Sequence, residues 1–360
     1  KAVGLYKNLV VSEQGTIFVS NASAWNVYKF SSNGGFIKQF GQKGKKNGLF
    51  YRRPEVFTTL PNGDPIVKGW HGGLYLFDGE GQFKYSIKLD YGEQDVVALT
   101  DTKIAISGFV VYKGSKNKYR VAIRDLQSGK EQEIVARFKD FAKQHVSVTV
   151  KRPIRLKSGE KKDHPFMIST GFHGARLNSY IRKIGKQNLL VGFDDSPELS
   201  VFSPEGRLIR KINMEIDRVP ISEGDIQKYM ESLQKPIKTY INDDKKGEAD
   251  PEISRKLIEK IKGKRDFFSP FMPYYYYLLV DSDNNILVFP YGNGSAGRLF
   301  KVYSETGKFI GDCRMILDDY RMRLNPRSRK LQFHNGSLYG VFEKKDSAGV
   351  PIRLLKMDIR

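Results

Sequence analysis

The sequence predicts an all-β fold, a six-bladed β-propeller whose blades are four-stranded antiparallel meanders. Three observations carry this expectation. A hairpin pattern recurs five times along the 360 residues, and a half-copy ends the chain. A second strand-turn segment stands upstream of each hairpin. A single sheet of this kind cannot bury both of its faces, whereas a ring of such sheets buries both and leaves only short edges.

The hairpins read WNVYKFSSNGGFIKQF (25–40), GLYLFDGEGQFKYSI (73–87), RVAIRDLQSGKEQEIV (120–135), ELSVFSPEGRLIRKI (198–212) and RLFKVYSETGKFIGDC (298–313), with IRLLKMDIR (352–360) as the half-copy. Spacings such as Val27/Phe30, Leu74/Leu76 and Leu199/Val201 suit strands with a buried face. Gly35, Gly81, Gly129, Gly206 and Gly307 fall where a tight turn needs positive φ. The upstream segments are EQGTIFVSN, PNGDPIVKGW, TDTKIAISGF, GKQNLLVGFD, SDNNILVFPY and HNGSLYGVFE. Each is preceded by one more strand: LVVSE, EVFTTL, DVVALT, YIRKIG, YYLLVDS and RKLQFH. The early units therefore repeat at about 45–50 residues, a blade-sized period. The sixth unit stops at its third strand, so residues 1–6 are expected to supply its outer strand and close the ring.

The propeller is expected to be one domain over 1–360, with two interruptions of the period. Residues 139–176 carry KRPIRLKSGEKKDHP and predict an extended loop or an extra hairpin between units three and four. Residues 221–265 predict a helical hairpin between units four and five. Ser222 is a candidate N-cap with Asp225 three residues on. Ile226, Tyr229, Met230 and Leu233 then lie on one face at helical spacing, and Pro236 ends the run. A second helix starts after Pro251, carries Ile253, Leu257, Ile258 and Ile261 on one face, and stops at Gly263. Because it interrupts a regular repeat, this element is a candidate docking surface for a protein partner, with Tyr229, Met230 and Leu233 as its contacts.

Composition narrows the function classes. A hydrophobic fraction of 39% supports a sizeable core. No apolar run approaches the roughly 20 residues of a membrane helix. Lysine and arginine total 61 against 40 acidic residues, a net charge of +21, so the surface attracts anions: an acidic glycan, lipid headgroups, an acidic protein or nucleic acid. The one cysteine, Cys313, excludes an intrachain disulfide and a thiolate metal cluster, and its strand-like context predicts a buried structural thiol. The sequence shows no signal peptide. It opens on Lys1 rather than Met, and a mature or trimmed product is expected.

With the units aligned, the chain resembles the NHL-like, TolB-like six-bladed propellers, in the branch common among exported proteins and lipoproteins of Bacteroidota. The residues that carry this are DGEGQF (78–83), SPEGRL (203–208), FGQKGKKNGLFYRRPEVF (40–57) and FMPYYYYLLVDSDNNILVF (271–289), with a helical insertion just before the last. The resemblance covers nearly the whole chain. It implies export to the periplasm or cell surface and a binding or scaffolding role; no cofactor is expected.

Loops between consecutive blades and loops between second and third strands rim one mouth of a propeller channel. Here they hold Tyr51, Arg52 and Arg53, then Trp70 and His71, Tyr112, His173 and Arg176, Asp194 and Asp195, Tyr274 and Tyr291, and Arg321 and Arg323. Arginine beside aromatics suits bidentate recognition of carboxylate, sulfate or phosphate together with stacking. Arg52, Arg53, Trp70, His71, Tyr274 and Tyr291 are the predicted ligand-binding set. Catalytic signals are weaker. The five histidines (His71, His145, His164, His173 and His334) contain no HExxH spacing, and there is no GxSxG elbow or P-loop. The resemblance includes a lyase that holds a metal through histidines from several blades; His71 and His173 suit such loops, but a third ligand is missing. Asp194 and Asp195 are adjacent and point to opposite faces of a strand, a poor acid/base pair. DSDNN (281–285) lacks the glycine and distal glutamate of an EF-hand. A basic face that stacks single-stranded RNA is the alternative reading of the charge.

Overall fold

Each blade is a meander because every connection within it is too short to let strands pair out of sequence order. The computed structural model describes residues 6–46, 48–50, 53–68, 73–111, 116–140, 145–155, 161–171, 177–234, 238–242, 245–249, 251–264, 267–291, 299–315, 320–321, 331–344 and 352–358. The first blade is Tyr6–Val11, Ile17–Asn21, Asn26–Phe30 and Phe36–Phe40, and the second is Val56–Thr59, Pro65–Lys68, Gly73–Phe77 and Phe83–Lys88. The third is Gly92–Ala98, Lys103–Val111, Lys116–Asp125 and Glu131–Asp140. The fourth is Ser179–Ile184, Asn188–Phe193, Glu198–Phe202 and Leu208–Asn213, and the fifth is Tyr275–Val280, Ile286–Pro290, Leu299–Tyr303 and Phe309–Arg314.

Strand alternation places the core between blades rather than within one. In the fourth blade Leu189, Val191 and Phe193 pack toward the third, while Leu190 packs toward the fifth. In the fifth, Ile286 and Val288 face the fourth blade, and Leu287 and Phe289 face the sixth sheet. Each such side chain contributes about 1.5–3 kcal/mol on burial. Glycine turns seat each hairpin on its predecessor. Gly81 (φ 79°) lies where a Cβ would come within 2.6 Å of Phe40, and Gly307 (φ 93°) where it would meet Ile212 at 2.6 Å. In the first hairpin the positive φ falls on Gly34 (85°) and not on Gly35.

The expectation of six four-stranded blades is corrected to five. The sixth sheet contains Tyr320–Arg321, Leu331–His334, Ser337–Lys344 and Ile352–Asp358. The first two segments pair with successive parts of Ser337–Lys344, on the edge opposite Ile352–Asp358, so this sheet is three strands wide. Tyr6 opens the inner strand of the first blade, paired with Asn21, and residues 1–5, expected to complete the sixth unit, lie outside the described residues. The first blade packs against this last sheet through Leu9, Val11, Ile17, Val19 and Tyr339. Gln332 adds a polar clamp: its Oε1 accepts from Val11 N at 2.8 Å and its Nε2 donates to Val11 O at 2.8 Å. Two net hydrogen bonds are worth about 2 kcal/mol, and Gln332→Ala is expected to lower the unfolding free energy by about that amount in urea titration.

Between the third and fourth blades stands a separate hairpin, His145–Arg155 and Lys161–Gly171. Two helices follow the fourth blade, α1 (Glu223–Gln234) and α2 (Pro251–Lys262). Ser222 Oγ accepts from Asp225 N at 3.1 Å, and Asp225 Oδ2 accepts from Ser222 N at 3.1 Å, a reciprocal cap at the start of α1. A small two-stranded sheet, Lys238–Asn242 and Lys245–Ala249, intervenes, so the helices do not form a simple hairpin. Leu233, with Tyr229 and Met230, packs inward against Ile253, Leu257, Ile261, Phe267 and Val146. Leu233, on the face expected to dock a partner, is thus buried within the chain, while Tyr229 and Met230 are half-buried. Cys313, expected to be buried, is exposed on the outer strand of the fifth blade. Neighbouring sheets diverge at that perimeter, and Phe36, Ile37, Leu208, Ile209, Phe309 and Ile310 are exposed there as well.

Candidate functional site

The chain brings Tyr274 and Tyr291 together around Asp194. Tyr274 immediately precedes the inner strand of the fifth blade, and its N–H donates to Asp194 O at 2.8 Å. Tyr291 follows the second strand of that blade; its N–H donates to Tyr274 O at 3.4 Å, and its ring meets the edge of Tyr276 at 5.4 Å. Arg53 is exposed just ahead of the second blade. Arg52, Trp70 and His71 lie outside the described residues, as do Tyr51, Tyr112, His173, Arg176 and Arg323.

Beside these tyrosines is a cavity of about 290 Å³, lined by Lys139, Asp194, Asp195, Arg218, Ser269, Phe271 and Pro273. Four segments converge on it. Lys139 stands near the end of the outer strand of the third blade, and the two aspartates follow the second strand of the fourth. The stretch before α1 and the stretch before the fifth blade run antiparallel, with Ile221 N donating to Pro270 O at 3.0 Å and Met272 N to Val219 O at 2.8 Å. That ladder sets Arg218 against two rings, 5.3 Å from the Phe271 centroid and 5.1 Å from that of Tyr274. Its Nε donates to Met272 O at 3.4 Å, and its terminal nitrogens have no hydrogen-bond partner among the described residues.

The two aspartates have separate fates. Asp194 is 1% exposed and accepts from Asn178 N at 3.1 Å and from Asn178 Nδ2 at 2.7 Å. Burial outweighs these bonds and the nearby Lys139, and its carboxyl is pushed up to about 7. Asp195 points outward and pairs with Arg137 at 2.8 Å, whose guanidinium stacks 4.6 Å from Phe193. Burial also lowers the Lys139 ammonium, against the pull of Asp194 and Asp195. Around Asp194 the hydroxyls of Tyr180, Tyr275 and Tyr291 are pushed up, by burial first and by that carboxylate second. The Tyr180 hydroxyl donates to Tyr276 O at 2.8 Å. The Tyr275 hydroxyl is buried with no hydrogen-bond partner among the described residues, and a Cβ on Gly192 would lie 2.5 Å from it. Glycine at 192 therefore makes room for this ring.

The cavity is lined by two basic side chains, Lys139 and Arg218, and two acidic ones, Asp195, which pairs with Arg137, and Asp194, whose carboxyl burial pushes toward its protonated form. Aromatic surface lies beside the charge. Such a site takes an oxyanion by charge-assisted hydrogen bonding, with a planar group stacked alongside. Lys139, Arg137 and Arg218 escaped the sequence reading because none sits in a loop that the repeat assigns to the mouth. Among the described residues, no three histidine, cysteine or acidic side chains gather as a metal site.

No protein-family model and no curated protein matches the chain. Solved structures do. A member of the DUF4221 family from Bacteroides vulgatus superposes with a TM-score of 0.52 at 11% identity, over 99% of this chain and 94% of that one. A putative exported protein from Bacteroides fragilis gives 0.50 at 13% identity, over 95% and 79%. Virginiamycin B lyase from Staphylococcus aureus gives 0.46 at 9% identity, over 100% and 86%. At these identities the likeness concerns the fold, which is that of β-propeller proteins.

Proposed function

We propose that this chain is an exported, non-enzymatic binding propeller that holds an oxyanion-bearing ligand in the pocket of Lys139 and Arg218. Tyr274 and Tyr291 frame that ligand, and the sequence assigns Arg52, Arg53, Trp70 and His71 to loops of the same kind in the repeat. The observation that carries this is Arg218: a guanidinium held between Phe271 and Tyr274, with its terminal donors uncommitted among the described residues, next to a second cation in a concave site. Export rests on the family resemblance of the sequence. Among the described residues no helix is long and apolar enough to cross a membrane.

Calorimetric titration with phosphate, sulfate and glucuronate tests the reading. At least one is expected to bind, and Arg218→Ala is expected to weaken it tenfold or more, the loss of one charge-assisted contact. Failure of all three to bind, or equal affinity in the variant, overturns it. One observation favours a second reading, an enzyme of the hydrolase or lyase type: Asp194 titrates near neutrality beside a desolvated amine, as a proton-transferring pair must. That reading requires turnover that Asp194→Asn abolishes while binding persists.

A further inference from the structure

The other mouth of the channel carries a second, larger cavity, of about 670 Å³, which falls in the range of small-molecule sites. It is rimmed by the turns between first and second strands and is walled by the inner strands of the sheets. Among the described residues each of those inner strands pairs with one neighbour, so its other edge turns backbone N–H and C=O groups toward the channel. Side chains of the chain itself already use such groups: Gln332 holds Val11, and Arg182 Nε donates to Leu278 O at 2.8 Å.

Across this mouth runs an ion pair. Lys183 Nζ, on the inner strand of the fourth blade, lies 2.7 Å from Glu13 Oε1, in the first turn of the first blade. The order of the inter-blade cores puts these two blades on opposite sides of the ring, so the pair is a strut over the cavity. The remaining rim charges also balance, with Lys186 against Asp281, and deeper in the wall Arg182 is matched by Asp95. Among the described residues, a simple anion or cation entering here meets no net opposite charge. A molecule carrying both charges can exchange the strut for two ion pairs of its own.

We propose that this mouth binds a small zwitterion, an amino acid or short peptide with free termini. Its carboxylate takes Lys183, its ammonium takes Glu13, and its peptide groups lie along the inner-strand edges. The strut is solvent-exposed, with side-chain accessibilities of 30% and 56%, so opening it costs at most about fivefold in affinity.

The test is calorimetry with trialanine, N-acetyl-trialanine and trialanine amide on the whole chain. The wild type is expected to prefer trialanine to either blocked peptide by about tenfold. Glu13→Gln is expected to abolish the preference over the N-acetyl form and leave the preference over the amide. Lys183→Met is expected to do the reverse. The preference over the N-acetyl form is expected to survive Arg218→Ala, because both of those peptides carry the carboxylate that the oxyanion pocket takes, which separates this site from that pocket. Equal affinity for the three peptides, no binding of trialanine up to 10 mM (a concentration of about this order marks the weakest useful affinity), or variants that leave both preferences intact would each overturn the proposal. Both substitutions are at the surface, and an unchanged thermal midpoint verifies that the variants are folded.

Discussion

Arg182→Ala is expected to lower the free energy of unfolding by about 3–5 kcal/mol, the cost of leaving one partner of a buried ion pair behind. Arg182 stands on the inner strand of the fourth blade and ties three blades together. Its NH1 donates to Asp95 Oδ2 of the third blade at 2.6 Å, its Nε donates to Leu278 O of the fifth at 2.8 Å, and its guanidinium lies 5.8 Å from the Tyr277 ring. The two charged side chains are only 11% and 12% exposed, so water compensates little of the loss. Alanine removes the Arg182 guanidinium from Asp95 at the seam of the third and fourth blades. Arg182→Lys keeps the charge but lacks the fork that reaches both partners, and an intermediate loss is expected. Urea denaturation of the three proteins measures this. A loss below about 1 kcal/mol for the alanine variant would mean that the channel hydrates Asp95 and that the blades are held by their apolar interfaces alone.

Asp194→Asn is expected to stabilise the protein above neutral pH and to change little below about pH 4. The carboxyl is raised to about 7 in the folded chain from an ordinary value of 3.8, so folding favours its protonated form. Its stabilising effect is complete below the unfolded value and is lost as pH rises through about 7. At pH 8 a buried carboxylate remains, at a cost of order ~4 kcal/mol if the whole shift is realised. Asparagine has the same shape and no charge, and Asn178 can turn its amide to accept the new donor. Other carboxylates and the histidines titrate alike in both proteins, so the difference in unfolding free energy isolates this group. It is expected to grow by a few kcal/mol between pH 5 and pH 8. The binding reading adds a second consequence: the ionised carboxylate repels an oxyanion, so affinity falls through the same interval in the wild type and stays level in the variant. A difference that does not vary with pH would place Asp194 in an ordinary, hydrated setting.

Much of the architecture was legible in the sequence. Period-two alternation marked the strands, and glycine turns marked the hairpins, because both follow from backbone geometry within a few residues. The sixth sheet was less legible. Its inner edge is shared by Tyr320–Arg321 and Leu331–His334, two short segments that no local pattern joins. Hydrophobicity misled at the perimeter, where Cys313, Phe309 and Ile310 sit on an outer strand that no neighbouring blade covers. In α1 an apolar helix face gives the same signal whether it meets a partner or α2 and Val146, against which Leu233 is buried. Tyr274 and Tyr291 could be assigned to one mouth because each sits at a fixed place in the repeat, and they lie together in the fold.

The sequence by itself determined the strands, the turns, the positive charge and the single cysteine, since each depends on residue type and near neighbours. The tertiary structure decided how many blades are complete and which charges share a pocket. Lys139, Asp194 and Arg218 come from three separated segments, and desolvation and Coulomb energy depend on their distances in space. The same holds for Lys183 and Glu13, which meet only because the ring places their blades on opposite sides of one channel.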